Sequence, residues 1–278
     1  MRAWKRVLYE KQPYKDNYID PDKFLDQLNL VTYSPSNQVS FRTVFVSASV
    51  VVQQFTVVVS FLMIYKFILR DQSVKVISIL DFLLLILGYG VHNCFDSNNL
   101  AHKHTFFSVI LFLVCLRMVA PVLKELTLSF SSDTIHALAI SLSAIHLAFH
   151  DYSFVNGERE EYSGTLSLNA AIFTAIILAS RLGSIELVLA FILLAIICFS
   201  FFPRTARLVK SKSLALHLIL TTIIWFITSL SLYFLDKTLF FVFEILILLL
   251  WFVGPLCYLH MLVFKRAMKG PWDIASVE

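Results

Sequence analysis

Eight apolar runs of membrane-spanning length fill most of this chain, and the polar segments between them are short. A helix that crosses about 30 Å of hydrocarbon needs roughly 20 mostly apolar residues at about 1.5 Å each. The runs lie at residues 43–65, 76–92, 105–122, 134–150, 166–182, 185–202, 214–234 and 239–264. We therefore expect an all-α, polytopic membrane protein with about eight transmembrane helices.

The composition supports this class and excludes others. Hydrophobic residues make up 58% of the 278 residues and charged residues only 15%, whereas soluble domains are about half apolar and a quarter charged. The net charge of +4 could suggest a nucleic-acid partner, but the basic residues flank apolar runs, where they orient a membrane protein. We expect no nucleic-acid partner.

The loop charges predict the orientation. An even number of spans places both termini on one side of the membrane, and most Lys and Arg residues fall on that side. The positive-inside rule then makes both termini cytoplasmic. This divides the chain into a polar cytoplasmic arm at 1–42, a transmembrane helical domain at 43–264 and a short cytoplasmic tail at 265–278.

Two patterns resemble metal sites, and neither is complete. Asp20 and Asp22 have the Asp-x-Asp spacing of some glycosyltransferases, but that motif needs a nucleotide-binding α/β domain, which about forty residues cannot build. His146 and His150 share a helix face and could bind a metal, although hydrogen bonds to neighbouring helices are the commoner role for such histidines. The chain also has no phosphate-cradling glycine loop. We predict no metal, no cofactor and no catalytic residue.

Three charged residues fall within apolar runs, at Asp81, Arg117 and Glu244. A charge at membrane depth costs several kcal/mol by some scales unless it is paired or hydrated. We therefore expect an intramembrane polar pairing in which Arg117 contacts Asp81 or Glu244 between helices.

Several stretches of the chain, taken in order, resemble one known family. They are Trp-Lys-Arg-Val-Leu-Tyr-Glu at 4–10, Pro-Val-Leu-Lys-Glu-Leu-Thr at 121–127, His-Leu at 146–147, Asp-Tyr at 151–152, Thr-Leu-Ser-Leu-Asn at 165–169 and Gly-Pro-Trp-Asp at 270–273. The chain resembles the PIG-C family, whose members are subunits of phosphatidylinositol N-acetylglucosaminyltransferase, over its whole length. Ala120 is a departure, since the family has serine at that position.

The resemblance implies a subunit of a multi-subunit enzyme in the endoplasmic reticulum membrane. That enzyme moves N-acetylglucosamine from UDP-GlcNAc to phosphatidylinositol on the cytoplasmic leaflet, the first step of GPI-anchor biosynthesis. In the family the catalytic glycosyltransferase is a different subunit, so the resemblance implies a non-catalytic membrane-core role here. The implied partners are the catalytic subunit, the other small membrane subunits of the complex, and phosphatidylinositol.

In the predicted topology the arm, the end of the fourth span, the start of the fifth span and the tail lie on the cytoplasmic face. We expect this face to contact a partner subunit or the lipid headgroup, with aromatic side chains at headgroup depth. The candidate contact residues are Trp4, Tyr9, Tyr18, Asp151, Tyr152, Asn169, Trp272 and Asp273.

Two other function classes remain open from the sequence. A self-sufficient lipid-modifying membrane enzyme would need a catalytic polar cluster, for which His146, His150 and Asp151 are the candidates. A lipid transporter or scramblase would need a continuous polar path through the spans, and the few charges within them argue against one.

Overall fold

A computed structural model describes residues 11, 13, 30–32, 40–71, 73–95, 102–125, 130–264 and 266–268. The chain divides into two compact units, Arg42–Pro255 and a smaller unit of Met1–Phe41 with Leu256–Glu278. Every described element between 41 and 264 is helical. The helices are α1 (Phe41–Asp71), α2 (Val74–Phe95), α3 (His102–Glu125), α4 (Ser132–Ala148), α5 (Tyr152–Asn156), α6 (Thr165–Ala179), α7 (Ile185–Ile196), α8 (Phe202–Lys212), α9 (Leu214–Leu235), α10 (Lys237–Leu248) and α11 (Gly254–Phe264).

Helices occur at all eight predicted span positions, with α7 and α8 forming one span and α10 and α11 another. Five helical segments of the described chain are long and apolar enough to cross a membrane. They are Phe41–Asp71, Val74–Cys94, Ile185–Lys212, Leu214–Leu235 and Lys237–Leu262. The apolar helix α6 has 15 residues, which is about 22 Å of helix and shorter than the hydrocarbon layer.

Two of the long helical segments contain a π-helical turn two residues before a proline. Ile197–Phe201 precedes Pro203, and Leu249–Val253 precedes Pro255. Proline has no backbone N–H, so the carbonyl four residues earlier loses its helical partner. The wider turn absorbs that loss, and the helix continues on the other side. The kink that the sequence predicts at Pro255 therefore coincides with an altered turn and not with a helix end.

The core of the larger unit is built around α6 and α7. Buried alanines along α6, including Ala171 and Ala175, let α4 approach closely, as small residues do between membrane helices. Phe191 of α7 is fully buried and stacks on Phe61 of α1, with ring centroids 4.6 Å apart. Because α6 is covered by protein on most of its length, it does not need to match the bilayer thickness.

Contacts within the larger unit bring helix ends together in two groups. At the first, which we call the α5 end, Ser49 of α1 contacts His217 of α9, and Lys210 of α8 contacts Asn156 of α5. At the opposite end, Lys124 of α3 donates to the carbonyl of Gly183, which lies between α6 and α7, at 2.9 Å. These pairings are the ones expected when successive long helices alternate in direction.

The smaller unit contains an element that the sequence does not predict. Strands β1 (Leu30–Thr32) and β2 (Arg266–Met268) pair antiparallel, with Leu30 opposite Met268. The two strands lie in the predicted arm and tail.

Candidate functional site

Asp151 organises the loop that follows α4. Its side chain accepts a hydrogen bond from the backbone N–H of Phe154 and so caps α5. It also accepts hydrogen bonds from the backbone N–H and the hydroxyl of Ser163, at 3.2 and 2.8 Å. One carboxylate thus joins the start of α5 to the segment that leads into α6.

The electrostatics of Asp151 follow from these bonds. Partial burial alone would raise the pKa of the carboxyl group, but the hydrogen bonds from Ser163 and Phe154 outweigh burial and hold its pKa below the ordinary value. Asp151 is therefore ionised at neutral pH, and its charge is used within the chain.

Replacing Asp151 with asparagine should make stability less dependent on pH. The depressed pKa means that the ionised form stabilises the fold above the ordinary value near 3.9, and that this contribution is lost as pH falls through the lower folded pKa. We expect the variant to lose about 1 kcal/mol at pH 7. Thermal unfolding in detergent between pH 7 and pH 3 should show the difference from wild type shrinking below pH 4. Glu160→Gln, in the same loop and exposed, is the control; an equal effect there would contradict the assignment.

His146 is the centre of a buried hydrogen-bond network that joins three helices. Its Nδ1 lies 2.9 Å from the backbone oxygen of Ser167 on α6, and its Nε2 lies 2.8 Å from the side-chain nitrogen of Gln54 on α1. A backbone oxygen can only accept, so Nδ1 carries the hydrogen and Nε2 accepts from the Gln54 amide. The Ser167 hydroxyl in turn donates to the backbone oxygen of His146 at 2.9 Å. Both ring nitrogens are thus used within the chain.

Aromatic rings surround the neighbouring His150. Its ring lies 5.5 Å from that of His146, 5.0 Å from Tyr152 and 6.0 Å from Tyr162, measured between centroids. It is buried, and neither ring nitrogen has a hydrogen-bond partner among the described residues. Within those residues no three His, Cys, Asp or Glu side chains form a group that could hold a metal ion.

Tyr152 is anchored inside the fold. Its hydroxyl donates to the backbone oxygen of Leu147 at 2.6 Å, and burial, with a smaller effect of Tyr162, raises its pKa to about 12. Tyr152 therefore stays protonated and acts as a hydrogen-bond donor. It fixes α5 against the end of α4.

Basic residues of α8 hold α5 and the loop after it from the other side. The Arg207 guanidinium lies 4.6 Å from the centre of the Phe154 ring and donates to the backbone oxygen of Glu160 at 2.5 Å. Lys210 donates to the Asn156 side chain at 2.5 Å. Cation–π contact and charge-assisted hydrogen bonds together tie the basic end of α8 to the α5 end.

The predicted contact residues divide into three groups. Asp151 and Tyr152 have partners inside the chain, as described above, and Asn169 is exposed near the start of α6. The remaining candidates lie outside the described residues, and these are Trp4, Tyr9, Tyr18, Trp272 and Asp273, as do the aspartates of the Asp-x-Asp pattern, Asp20 and Asp22.

The structure places the three intramembrane charges apart in their contacts. Arg117 contacts Glu186, at the start of α7, at 3.6 Å, so its partner is neither Asp81 nor Glu244. Glu244 accepts a hydrogen bond from Ser229 of α9 at 2.6 Å. Asp81 is 3% exposed, and its carboxylate has no hydrogen-bond partner among the described residues. Glu186 follows a short turn, and its first-turn position is the signal that could have marked it as a partner for Arg117.

Sequence reasoning also missed the partners of two buried histidines. Gln54 stands out in the sequence only as an amide inside an apolar run, and Ser167 as one hydroxyl among several. His217, which is fully buried and contacts Ser49 at 3.0 Å, gives no signal beyond being a histidine in an apolar helix.

Comparisons with known proteins agree over the whole chain. A family model described as "GPI2: Phosphatidylinositol N-acetylglucosaminyltransferase" matches residues 4–273. A Dictyostelium discoideum protein is 39% identical over 282 residues, which cover 99% of this chain and 79% of that protein. No solved structure matches the chain.

Two further relatives are named as subunits of this enzyme. The Mus musculus PIG-C protein, a named subunit of phosphatidylinositol N-acetylglucosaminyltransferase, is 30% identical over 99% of this chain and 93% of its own length. The Schizosaccharomyces pombe protein named phosphatidylinositol N-acetylglucosaminyltransferase GPI2 subunit is 29% identical over 99% of this chain and 86% of its own length.

Proposed function

This chain belongs to the GPI2 family of phosphatidylinositol N-acetylglucosaminyltransferase, and we propose that it is a non-catalytic membrane-core subunit of that enzyme. The complex transfers N-acetylglucosamine from UDP-GlcNAc to phosphatidylinositol in the endoplasmic reticulum membrane, the first step of GPI-anchor biosynthesis. The observation that carries the proposal is the match of the family to residues 4–273, nearly the entire chain.

The non-catalytic role is supported by how the chain is used. Every described element from 41 to 264 is a helix, and these helices pack on one another through apolar and small side chains. Enzymes that use sugar nucleotides bind them on an α/β domain, with the diphosphate at a helix N-terminus beside a parallel sheet. We place that domain on another subunit of the complex, which this chain anchors in the membrane.

We further propose that all eight helical segments cross or enter the bilayer, with both termini cytoplasmic. The alternating contacts at the α5 end and at the opposite end support this arrangement. The shorter helices α4 and α6 are compatible with it because their backbones are enclosed by other helices. In this orientation the α5 end faces the cytoplasm, where UDP-GlcNAc is supplied.

The α5 end is then the surface on which the catalytic subunit docks. Asn169 is exposed there and available for contact. Asp151 and Tyr152 contribute by fixing the shape of the α5 loop, because their polar atoms have partners inside the chain. Trp4, Tyr9, Tyr18, Trp272 and Asp273 complete the proposed contact set.

The decisive experiment removes the chain and measures sugar transfer. Membranes from cells that lack it should lose transfer of radiolabelled N-acetylglucosamine from UDP-GlcNAc to phosphatidylinositol, and re-expression should restore it. Tagged chain purified in mild detergent should bring the activity with it, whereas the chain purified alone should be inactive. Activity of the isolated chain would instead favour a self-sufficient lipid-modifying enzyme. Unchanged transfer in membranes without the chain would contradict the proposal as a whole.

A further inference from the structure

A cavity of about 440 Å³ opens at the α5 end of the larger unit. It lies where the start of α1, the residues around the end of α5 and the junction between α8 and α9 meet. Arg42, Asn156, Glu158 and Lys210 supply its polar walls, and Val46 and Leu214 supply apolar ones. The volume lies in the range of small-molecule binding pockets, about 300–1,000 Å³.

The polar walls of the cavity combine two kinds of recognition group. Arg42 and Lys210 are cations, which pair with phosphate through charge-assisted hydrogen bonds. Lys210 is half-buried and donates one of its three N–H bonds to Asn156, so two remain for a ligand. The carboxylate of Glu158 and the amide of Asn156 suit hydroxyl groups, which need acceptors and donors together. A phosphate that carries a polyol satisfies both sets.

Helix lengths place the cavity at the depth of lipid headgroups. The segment Ile185–Lys212 has 28 residues, about 42 Å of helix, and α1 has 31 residues, about 46 Å. The hydrocarbon layer is about 30 Å thick and the bilayer with its headgroups about 40–45 Å. Lys210 and Arg42 stand at the ends of these two helices, beyond the apolar portion of each. The charged ends therefore reach the headgroup layer while Val46, one turn into α1, faces the acyl side.

From these features we infer that the cavity binds the headgroup of an inositol-bearing anionic glycerophospholipid taken from the membrane. Arg42 and Lys210 hold the phosphodiester, and Asn156 and Glu158 hydrogen-bond the ring hydroxyls. The apolar walls receive the start of the acyl chains. This inference rests on the proposed function, because it makes this chain the subunit that presents the acceptor lipid to the transferase.

The test measures lipid binding to the purified full-length chain, without the other subunits. Native mass spectrometry of the detergent-solubilised protein is titrated with phosphatidylinositol, phosphatidylserine, phosphatidylcholine and water-soluble glycerophosphoinositol. Phosphatidylinositol should bind tightest, and glycerophosphoinositol should compete only weakly because it lacks acyl chains. Equal binding of phosphatidylinositol and phosphatidylcholine would overturn the inference, as would competition by glycerophosphoinositol as strong as by the lipid itself.

Two matched double variants separate the cavity from general surface charge. Arg42→Gln with Lys210→Gln should weaken phosphatidylinositol binding about tenfold, since two charge-assisted contacts are lost. Arg204→Gln with Lys212→Gln removes the same charge from exposed positions of α8 that do not line the cavity, and binding should stay within about twofold. An equal loss in both double variants would overturn the inference.

A third variant tests recognition of the polyol. Glu158→Gln removes the carboxylate while keeping its size, so it should narrow the preference for phosphatidylinositol over phosphatidylserine. An unchanged preference would overturn the assignment of Glu158 and Asn156 to the ring hydroxyls. Unfolding midpoints of all variants show whether the fold is kept.

The outcome for the cavity is separable from the outcome for the proposed function. If the Arg42 and Lys210 double variant still binds phosphatidylinositol while the chain is required for sugar transfer, the cavity assignment fails and the proposed function stands. If the cavity binds the lipid as expected but transfer does not require the chain, the proposed function fails.

Discussion

Replacing His146 with alanine is expected to lower the free energy of unfolding by about 3–5 kcal/mol. The side chain is 1% exposed and satisfies the Gln54 amide and the Ser167 backbone oxygen. Each of these groups, left buried without a partner, costs about 1–3 kcal/mol. The ring also packs edge-on against Phe199 at 4.9 Å between centroids, and that contact is lost as well. Thermal unfolding followed by size-exclusion chromatography in detergent measures the effect.

A matched control for this variant lies on the same helix. His136 is exposed, and its ring contacts only the backbone oxygen of Ser132 within α4, so His136→Ala should leave the unfolding midpoint nearly unchanged. His146→Asn keeps a nitrogen donor near the Nδ1 position and should recover part of the loss. If His146→Ala were no less stable than His136→Ala, the network would not hold α1, α4 and α6 together.

Replacing Phe191 with alanine should lower stability by a similar amount, about 3–5 kcal/mol. Phe191 is 0% exposed, and its ring lies 4.6 Å from Phe61 and 5.6 Å from Tyr65. Membrane helices associate largely through van der Waals packing, because lipid is as apolar as the side chains. The cavity left by the variant therefore removes contacts between α1 and α7 that lipid cannot replace. The midpoint of thermal unfolding in detergent is the measurement.

The control for Phe191 lies ten residues further along the same helical segment. Phe201 is 47% exposed, and Phe201→Ala should change the unfolding midpoint much less. Phe191→Leu refills part of the space and should fall between alanine and wild type. Equal midpoints for the two alanine variants would show that α7 is not the packing centre of the unit.

The apolar runs predicted where the helices lie but not where they end. The sixth predicted span stops at residue 202, yet the helical segment continues to Lys212. Hydropathy detects the part of a helix that sits in hydrocarbon, whereas helix formation is cooperative and proceeds past it. The extension is functional in our interpretation, because its basic residues hold the α5 loop and line the cavity.

The partner of Arg117 shows where local patterns stop. The cost of a charge at membrane depth correctly indicates that Arg117 needs a counter-charge. Which carboxylate supplies it depends on how α3 is rotated and on which helix packs beside it. The structure brings Glu186 there, with both side chains about half exposed, at 55% and 56%, so the pair contributes little to stability.

The sequence by itself determined the membrane class, the positions of the helices and the family. A helix satisfies its own backbone hydrogen bonds locally, and in lipid that requirement leaves little choice of structure. Only the tertiary structure decided which polar groups meet, since His146 and Gln54 are 92 residues apart and His146 and Ser167 are 21 apart. Their contact, like the cavity at the α5 end, depends on the rotation and depth of packed helices, which no local pattern of residues encodes.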